Sequence, residues 1–287
     1  MRISLVIVVL LSLTYPNNIF SQSKKIYAHD LLLPANPGNP VSFGFSILTY
    51  IVNKAKTQAL SGNYHLSTSS KHGFEAGPDI YINLSANYSL LIGLHGGAAA
   101  TNYILFIPGS DFNPSLGADV DDRGKGPTTG LWSFYMDAPI WLQKRWFRAN
   151  HSFWNFVAGI NVRYYPLRKF PYGVQEIFTD NNGNQMTVLY LNASIGNNLR
   201  PWLNYNIGGG YSLLLRNNNY LQCNLLVNFS GEKIVNGTYE INVTGKPQST
   251  GTYSANLAYA GVSFSYIFTG ANKRLRKMYE EKLKKNQ

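Results

Sequence analysis

The stretch Gly73–Ala100, GFEAGPDIYINLSANYSLLIGLHGGAAA, decides the architecture. On its first arm Phe74, Ala76, Pro78, Ile80, Ile82 and Leu84 share one parity, while Glu75, Gly77, Asp79, Tyr81, Asn83 and Ser85 hold the other. Successive side chains of a strand point to opposite faces, so this arm has one apolar face and one polar or small face. A turn at Ser85–Tyr88 follows, and then Leu90, Ile92 and Leu94 alternate with Gly93, His95 and Gly97. Period 2 alone leaves two environments open. The apolar face packs into a soluble core, or it faces lipid.

The same alternation recurs along the chain. Val41–Val52 sets Val41, Phe43, Phe45 and Ile47 against Ser42, Gly44 and Ser46. Leu131–Gln143 sends Trp132, Phe134, Met136, Ala138, Ile140 and Leu142 outward and Asp137 inward. Phe153–Tyr165 sends Trp154, Phe156, Ile160 and Val162 outward, with Asn155, Gly159, Asn161 and Arg163 inward. Thr187–Gly196, with Leu189, Leu191, Ala193 and Ile195 on one face, then Trp202–Leu215 and Tyr253–Phe268, complete the set. Tyr220–Phe229 and Tyr239–Val243 also alternate, and read either as two more wall strands or as a hairpin outside the wall. The expectation is an all-β, transmembrane, antiparallel up-and-down barrel of eight strands, with ten as the alternative. Both numbers are even, as in bacterial barrels. The long segments Asn53–His72 and Leu105–Gly130 are expected on the external side. The shorter turns at Ser85–Tyr88, Lys144–His151 and Asn197–Pro201 are expected in the periplasm, with Trp146, Trp154 and Trp202 as an interfacial belt.

Composition points the same way. The chain is 45% hydrophobic and 14% aromatic, with 20 Tyr, but only 14% charged, against about 25% charged in soluble domains. Cys223 is the one cysteine, which excludes a disulfide-stapled secreted scaffold. Met1-Arg2, the apolar run ISLVIVVLLSL and the small residues at Ser21-Gln22-Ser23 read as a secretory signal, cleaved after Ser21 or Ser23. The apolar run is shorter than the ~20 residues of a helical span. An exported chain makes nucleic acid a poor partner for the net charge of +11. The organisation expected is a signal peptide over 1–23, a periplasmic lead-in over 24–40, a barrel over 41–268 and a basic tail over 269–287.

Four segments carry a family likeness: PDIYINLSANYSLLIGL, MDAPIWLQKRW, FWNFVAGINVRYY and the aromatic-alternating GVSFSYIF. With them the chain resembles the small outer-membrane β-barrel proteins common in Bacteroidetes, the group that includes PorT-like proteins. The resemblance implies residence in the outer membrane of a Gram-negative bacterium. Gly261, Phe264, Tyr266 and Phe268 are similar to the Gly-x-x-aromatic-x-aromatic signal read by the barrel-assembly machinery, which the likeness implies as a partner alongside outer-membrane lipids. Such barrels usually end at the terminal aromatic, whereas this chain continues 19 residues beyond Phe268.

Candidate chemistry is sparse. Glu75, Asp79, His95, Asp137 and Arg163 share the inward parity and are expected to form a polar network that plugs the lumen. A permeation path is the sharper alternative. Outside, His65-Leu66-Ser67 with Glu75 downstream is similar in outline to the site of outer-membrane lipid A deacylases, but the flanking residues of that motif are missing. Asp119, Asp121 and Asp122 supply external carboxylates without a His partner. Arg123 occupies what would be the third ligand position of a calcium loop, and no Glu closes it, so neither metal nor cofactor is expected. The tail sets Lys273, Arg274, Arg276, Lys277, Lys282, Lys284 and Lys285 against Glu280 and Glu281. Leu275, Met278, Tyr279 and Leu283 follow helical spacing, which suits a short helix on an anionic periplasmic leaflet or on an acidic partner of unknown identity. The functional expectation is a non-catalytic structural, surface-interaction or assembly-accessory barrel. A small porin-like diffusion channel and a lipid-modifying enzyme are the alternatives.

Overall fold

A strand whose backbone lies in hydrocarbon must pair both of its edges, so a membrane sheet closes on itself. A computed structural model of the protein describes residues 41–85, 87–113, 115, 119–121, 130–149, 152–166, 170–179, 183–215 and 219–268. The signal segment 1–23, the lead-in 24–40, and the tail 269–287 with its basic cluster and expected helix lie outside the described residues. In chain order the strands are β1 (Val41–Val52), β2 (Lys56–Ser61), β3 (Lys71–Asn83), β4 (Tyr88–Gly93), β5 (His95–Asn102), β6 (Phe106–Ile107), β7 (Val120–Asp121) and β8 (Gly130–Ala149). They continue as β9 (Ser152–Tyr164), β10 (Phe170–Thr179), β11 (Gln185–Ile195), β12 (Trp202–Leu214), β13 (Tyr220–Ser230), β14 (Val235–Ile241), β15 (Ser249–Ala255) and β16 (Tyr259–Phe268).

The wall runs β1, β3, β4 with β5, β8, β9, β12, β13, β16, and closes by pairing β16 back onto β1. Because β4 and β5 keep one register on β3 (Asp79 opposite Gly93, Ala76 opposite Gly96), they form a single wall strand interrupted at Leu94. The barrel therefore has eight strands in up-and-down order. Prolines account for the interruption. Pro78 on β3 faces Leu94, whose N–H donates to the Pro78 carbonyl at 3.1 Å, and Pro139 on β8 lies alongside Gly93. Neither proline has an N–H to return to the strand between them.

Outward side chains of the wall are apolar and bare: Phe43, Phe45, Ile47, Phe134, Tyr205 and Phe264 are each about half exposed. A ring of this kind far exceeds the apolar patches that water tolerates, and it is the lipid-facing surface of the barrel. Inward positions are buried and mostly polar or aromatic, with a few aliphatic residues such as Leu48, Val157 and Leu226 among them. Eight strands enclose a space that side chains fill.

A second, five-stranded sheet, β10-β11-β14-β15-β2, is built from three of the long connections. Its strands invert the wall's logic. Leu189, Leu191, Ala193 and Ile195 on β11 are buried, as are Val235, Tyr239 and Ile241 on β14. They share one core with Leu66, Tyr103, Leu105 and Phe112 from neighbouring loops and with Ile107 of β6 and Val120 of β7. The Tyr253 hydroxyl donates to the Asn102 carbonyl at 3.2 Å, and burial pushes its pKa up to about 12, so it remains a donor at physiological pH. Tyr103 donates to Glu176 at 2.9 Å. The long connections thus fold into a cap at one end of the barrel.

Three expectations are corrected here. Thr187–Gly196 is not a wall strand; its apolar face belongs to the cap. Tyr220–Phe229 takes its place in the wall as β13, and the external hairpin is β14–β15, so the expected final strand Tyr253–Phe268 divides between cap and wall. The Asn197–Pro201 turn joins β11 to β12 at the cap end, which puts Trp202, 8% exposed, on that side and not in a periplasmic belt. Asn198 and Leu199 both have positive φ there, making the reversal sharp. The short turns are those after β3, β8 and β12. Trp146, at the β8–β9 turn, stays exposed.

This topology separates two residues of near-equal exposure, Tyr190 on the cap (39%) and Leu225 on the wall (40%). In a Cys223→Ser background reconstituted into lipid nanodiscs, Tyr190→Cys is expected to react with a water-soluble maleimide and Leu225→Cys to be protected. Rapid labelling of Leu225→Cys in protein that still shifts its gel mobility on boiling would remove β13 from the wall.

Candidate functional site

The inward-facing residues of β3, β5, β8 and β9 meet in the lumen. His95 lies directly opposite Asp137, and Asp137 opposite Arg163, so strand register alone lines up three ionisable groups. The Arg163 Nη2 donates to Asp137 Oδ2 at 2.7 Å and stands 3.7 Å from Glu75 Oε2. Its guanidinium lies 4.0 Å from the Tyr135 ring centroid, a cation–π contact strengthened by the burial of both groups. His95 bridges the other two carboxylates, with Nδ1 2.8 Å from Glu75 Oε1 and Nε2 2.9 Å from Asp79 Oδ1. Both ring nitrogens face acceptors, so the arrangement is satisfied when both carry protons. All five expected lumen residues, Glu75, Asp79, His95, Asp137 and Arg163, are at most 5% exposed.

Further side chains tie this chain of charges to the rest of the wall. Asn161 donates to Asp137 at 2.6 Å and accepts from the Trp141 indole at 2.6 Å. The Tyr135 hydroxyl donates to Glu75 at 3.1 Å and meets that of Tyr50. Ser46 donates to Asp79 and lies 2.7 Å from Ser265 on β16. Room for the network comes from glycine. A Cβ on Gly93 would stand 2.4 Å from Asp79 Oδ1, and one on Gly77 would stand 2.6 Å from the His95 Cα.

A second tier lies nearer the short turns. Arg145 is 2% exposed and donates to three neutral oxygens: Gln143 Oε1 at 3.1 Å, Asn83 Oδ1 at 3.0 Å and Ser89 Oγ at 2.7 Å. Gln143 reaches Gln222 on β13 at 2.9 Å, and Gln222 accepts from Ser212 on β12 at 3.1 Å. Together the two tiers join all eight wall strands through side chains. Sequence reading missed Arg145 by ending its strand at Gln143 and treating KRWFRANH as a turn. The signal was present, because Arg145 continues the inward parity of Asp137 and Gln143.

The external candidates do not converge. Both Glu75 oxygens are taken inside the lumen by His95 and Tyr135, so Glu75 orients neither His65 nor Ser67. Ser67 exchanges backbone hydrogen bonds with Ile104 at 3.0 and 2.7 Å. Asp119 accepts from the Gly109 N–H at 2.9 Å, closing its own loop. Asp122 and Arg123 lie outside the described residues. Gly261, Phe264, Tyr266 and Phe268 all lie on β16, with Phe264 and Phe268 about half exposed toward lipid.

No family model matches this chain, and no curated protein matches it. Among solved structures it is similar to the outer membrane protein OprG from Pseudomonas aeruginosa, at 12% identity over 79% of this chain and 94% of that one, with a TM-score of 0.33. It is also similar to the β-domain of the Bordetella autotransporter BrkA, at 11% identity over 80% and 99%, with a TM-score of 0.24. Likeness this loose adds nothing to the barrel closure, which the strand pairing establishes.

The buried pair sets a stability test. Arg163→Met strands Asp137 and is expected to cost about 3–5 kcal/mol in denaturant unfolding from lipid vesicles. Adding Asp137→Asn should recover much of that loss. A neutral Arg163→Met would mean the pair does not brace the lumen.

Proposed function

We propose that this chain is an outer-membrane barrel of a Gram-negative bacterium whose role is structural, surface-interacting or assembly-accessory, and not catalytic. The observation that carries the reading is the lumen. Charged, amide and hydroxyl side chains from all eight wall strands meet in it, and a folded cap stands at one end. A diffusion channel needs an open polar path, whereas here buried charges are committed to one another across the lumen, Arg163 to Asp137 and His95 to Glu75 and Asp79. The enzyme alternative is disfavoured because the acid expected to orient His65 and Ser67 is committed elsewhere. Long connections lie outside the cell in barrels of this kind, so the cap is read as the external face and the short turns as periplasmic. The likeness to Bacteroidetes PorT-like barrels belongs to the same proposal, as does recognition of β16 by the barrel-assembly machinery.

In planar bilayers the folded protein is expected to show little or no steady conductance; a large, stable open state would overturn the closed reading. Expressed in a membrane of defined lipid A, it should leave acyl chains intact by mass spectrometry. Acyl loss that disappears in Ser67→Ala would move the enzyme reading to the front.

A further inference from the structure

At the cap end, where β1, β13 and β16 leave the wall, two recesses join. The first is a cleft of about 1060 Å³ whose lining includes Lys54, Lys56, Lys233 and His65, with hydroxyls from Ser67 and Ser70. No carboxylate lines it, and none pairs with the three lysines among the described residues. The second is a shallower groove of about 430 Å³ on the outside of the wall, flanked by Tyr205, Val227, Phe229 and Ala260. Asn53, Gly231 and Asn256 line both, so basic cleft and apolar groove are continuous.

Their depth fits an amphiphile. Tyr205, Val227 and Phe229 are 60%, 40% and 55% exposed on the lipid-facing parity near the ends of their strands. Lys54 follows the last residue of β1 by two positions, and Lys233 follows the last residue of β13 by three. At roughly 3.4 Å per residue this places the ammonium groups beyond the hydrocarbon edge, within a headgroup layer roughly 5–8 Å thick. The junction is also built stiffly. The Asn256 side chain donates to the Ser230 carbonyl at 2.7 Å and accepts from the Ala258 N–H at 3.2 Å, and Asn53 N–H donates to the Ala258 carbonyl at 2.8 Å.

We infer that this junction is a binding site for a phosphorylated lipid of the surrounding leaflet. Its phosphate is held by Lys54, Lys56 and Lys233, and an acyl chain lies along Tyr205, Val227 and Phe229. The inference rests on the orientation proposed above, with the cap at the external leaflet. Unpaired lysines and hydroxyl donors suit a phosphate, and the groove opening directly into lipid selects a membrane amphiphile over a free anion.

The test uses the full chain in neutral detergent, titrated with bisphosphorylated lipid A, with dephosphorylated lipid A and with inorganic phosphate, binding being read by native mass spectrometry. The bisphosphorylated lipid is expected to bind. The Lys54→Gln/Lys56→Gln/Lys233→Gln variant should bind it about a hundredfold more weakly, given the usual gain per surface lysine. Phe229→Ala should also weaken it, with gel mobility before and after boiling confirming that both variants fold. Binding unchanged in the triple variant overturns the inference, as does equal binding of dephosphorylated lipid. Competition by millimolar inorganic phosphate would make this a free-anion site and overturns it too. None of these failures touches the closed-lumen reading, which conductance tests separately.

Discussion

Burying Arg163 in the middle of a membrane barrel is tolerable only because Asp137 stands directly opposite it and Glu75 lies 3.7 Å away. An isolated guanidinium in a dry interior carries a desolvation penalty that a single partner barely offsets, and each unmet carboxylate adds its own. The structure resolves this by chaining the charges. Arg163 holds Asp137, Glu75 and Asp79 share the His95 ring, and Tyr135 and Asn161 donate to Glu75 and Asp137 in turn. These charges come from β3, β5, β8 and β9, adjacent strands of the wall, and Ser46 on β1 with Ser265 on β16 carries the bonding on to the seam where the barrel closes. The same side chains that brace the wall also occupy its lumen.

The prolines act at the same level. Pro78 and Pro139 flank the strand at Leu94, one residue from His95, where the sheet gives up donors on both sides of one strand. That site would be the weakest in the ladder. Yet it is where side-chain bonding across the lumen is densest, through His95 to Glu75 and Asp79. The short contacts that a Cβ at Gly77 or Gly93 would meet show how closely the backbones approach there. Backbone pairing lost at the break is offset by ionic pairing across the interior.

Much of this was legible in the sequence. Alternation fixed which residues of β1, β3, β8, β9 and β16 face lipid, and it put all five charges of the upper tier on the inward parity. It failed where a strand's apolar face turns toward a protein core. Leu189, Leu191 and Leu221, Leu225 present the same period, yet the first pair is buried in the cap and the second faces lipid. Period 2 reports a difference between two faces, not which face is wet. The residues of opposite parity hold what signal there was. On β13 they are Gln222, Asn224 and Asn228, amides able to cross-link a lumen. On β11 they include Tyr190 and Asn192, which suit a surface. Arg145 was missed for a different reason, because a run of basic and aromatic residues resembles a turn when strand length is judged from hydrophobicity alone.

The two sheets use one pattern with opposite senses, and the chain must change phase wherever it passes between them. In the wall, apolar side chains point away from the axis; in the cap they point into a shared core. Three of these crossings meet at one place: after Val52, between Ser230 and Val235, and between Ala255 and Tyr259. At these crossings buried apolar residues, Ala55, Ile234 and Leu257, alternate with polar ones that reach the surface, among them Asn53, Lys54, Lys233 and Asn256. Leu257, with a φ of 55°, makes the last reversal abrupt enough that β15 and β16 serve different sheets. The basic cleft beside the lipid-facing groove stands where the membrane wall becomes the cap, and its lysines have no carboxylate partner among the described residues. Glu232 precedes Lys233 in the second crossing, yet no carboxylate lines the cleft among the described residues, and that is what gives the junction its preference for an anionic ligand.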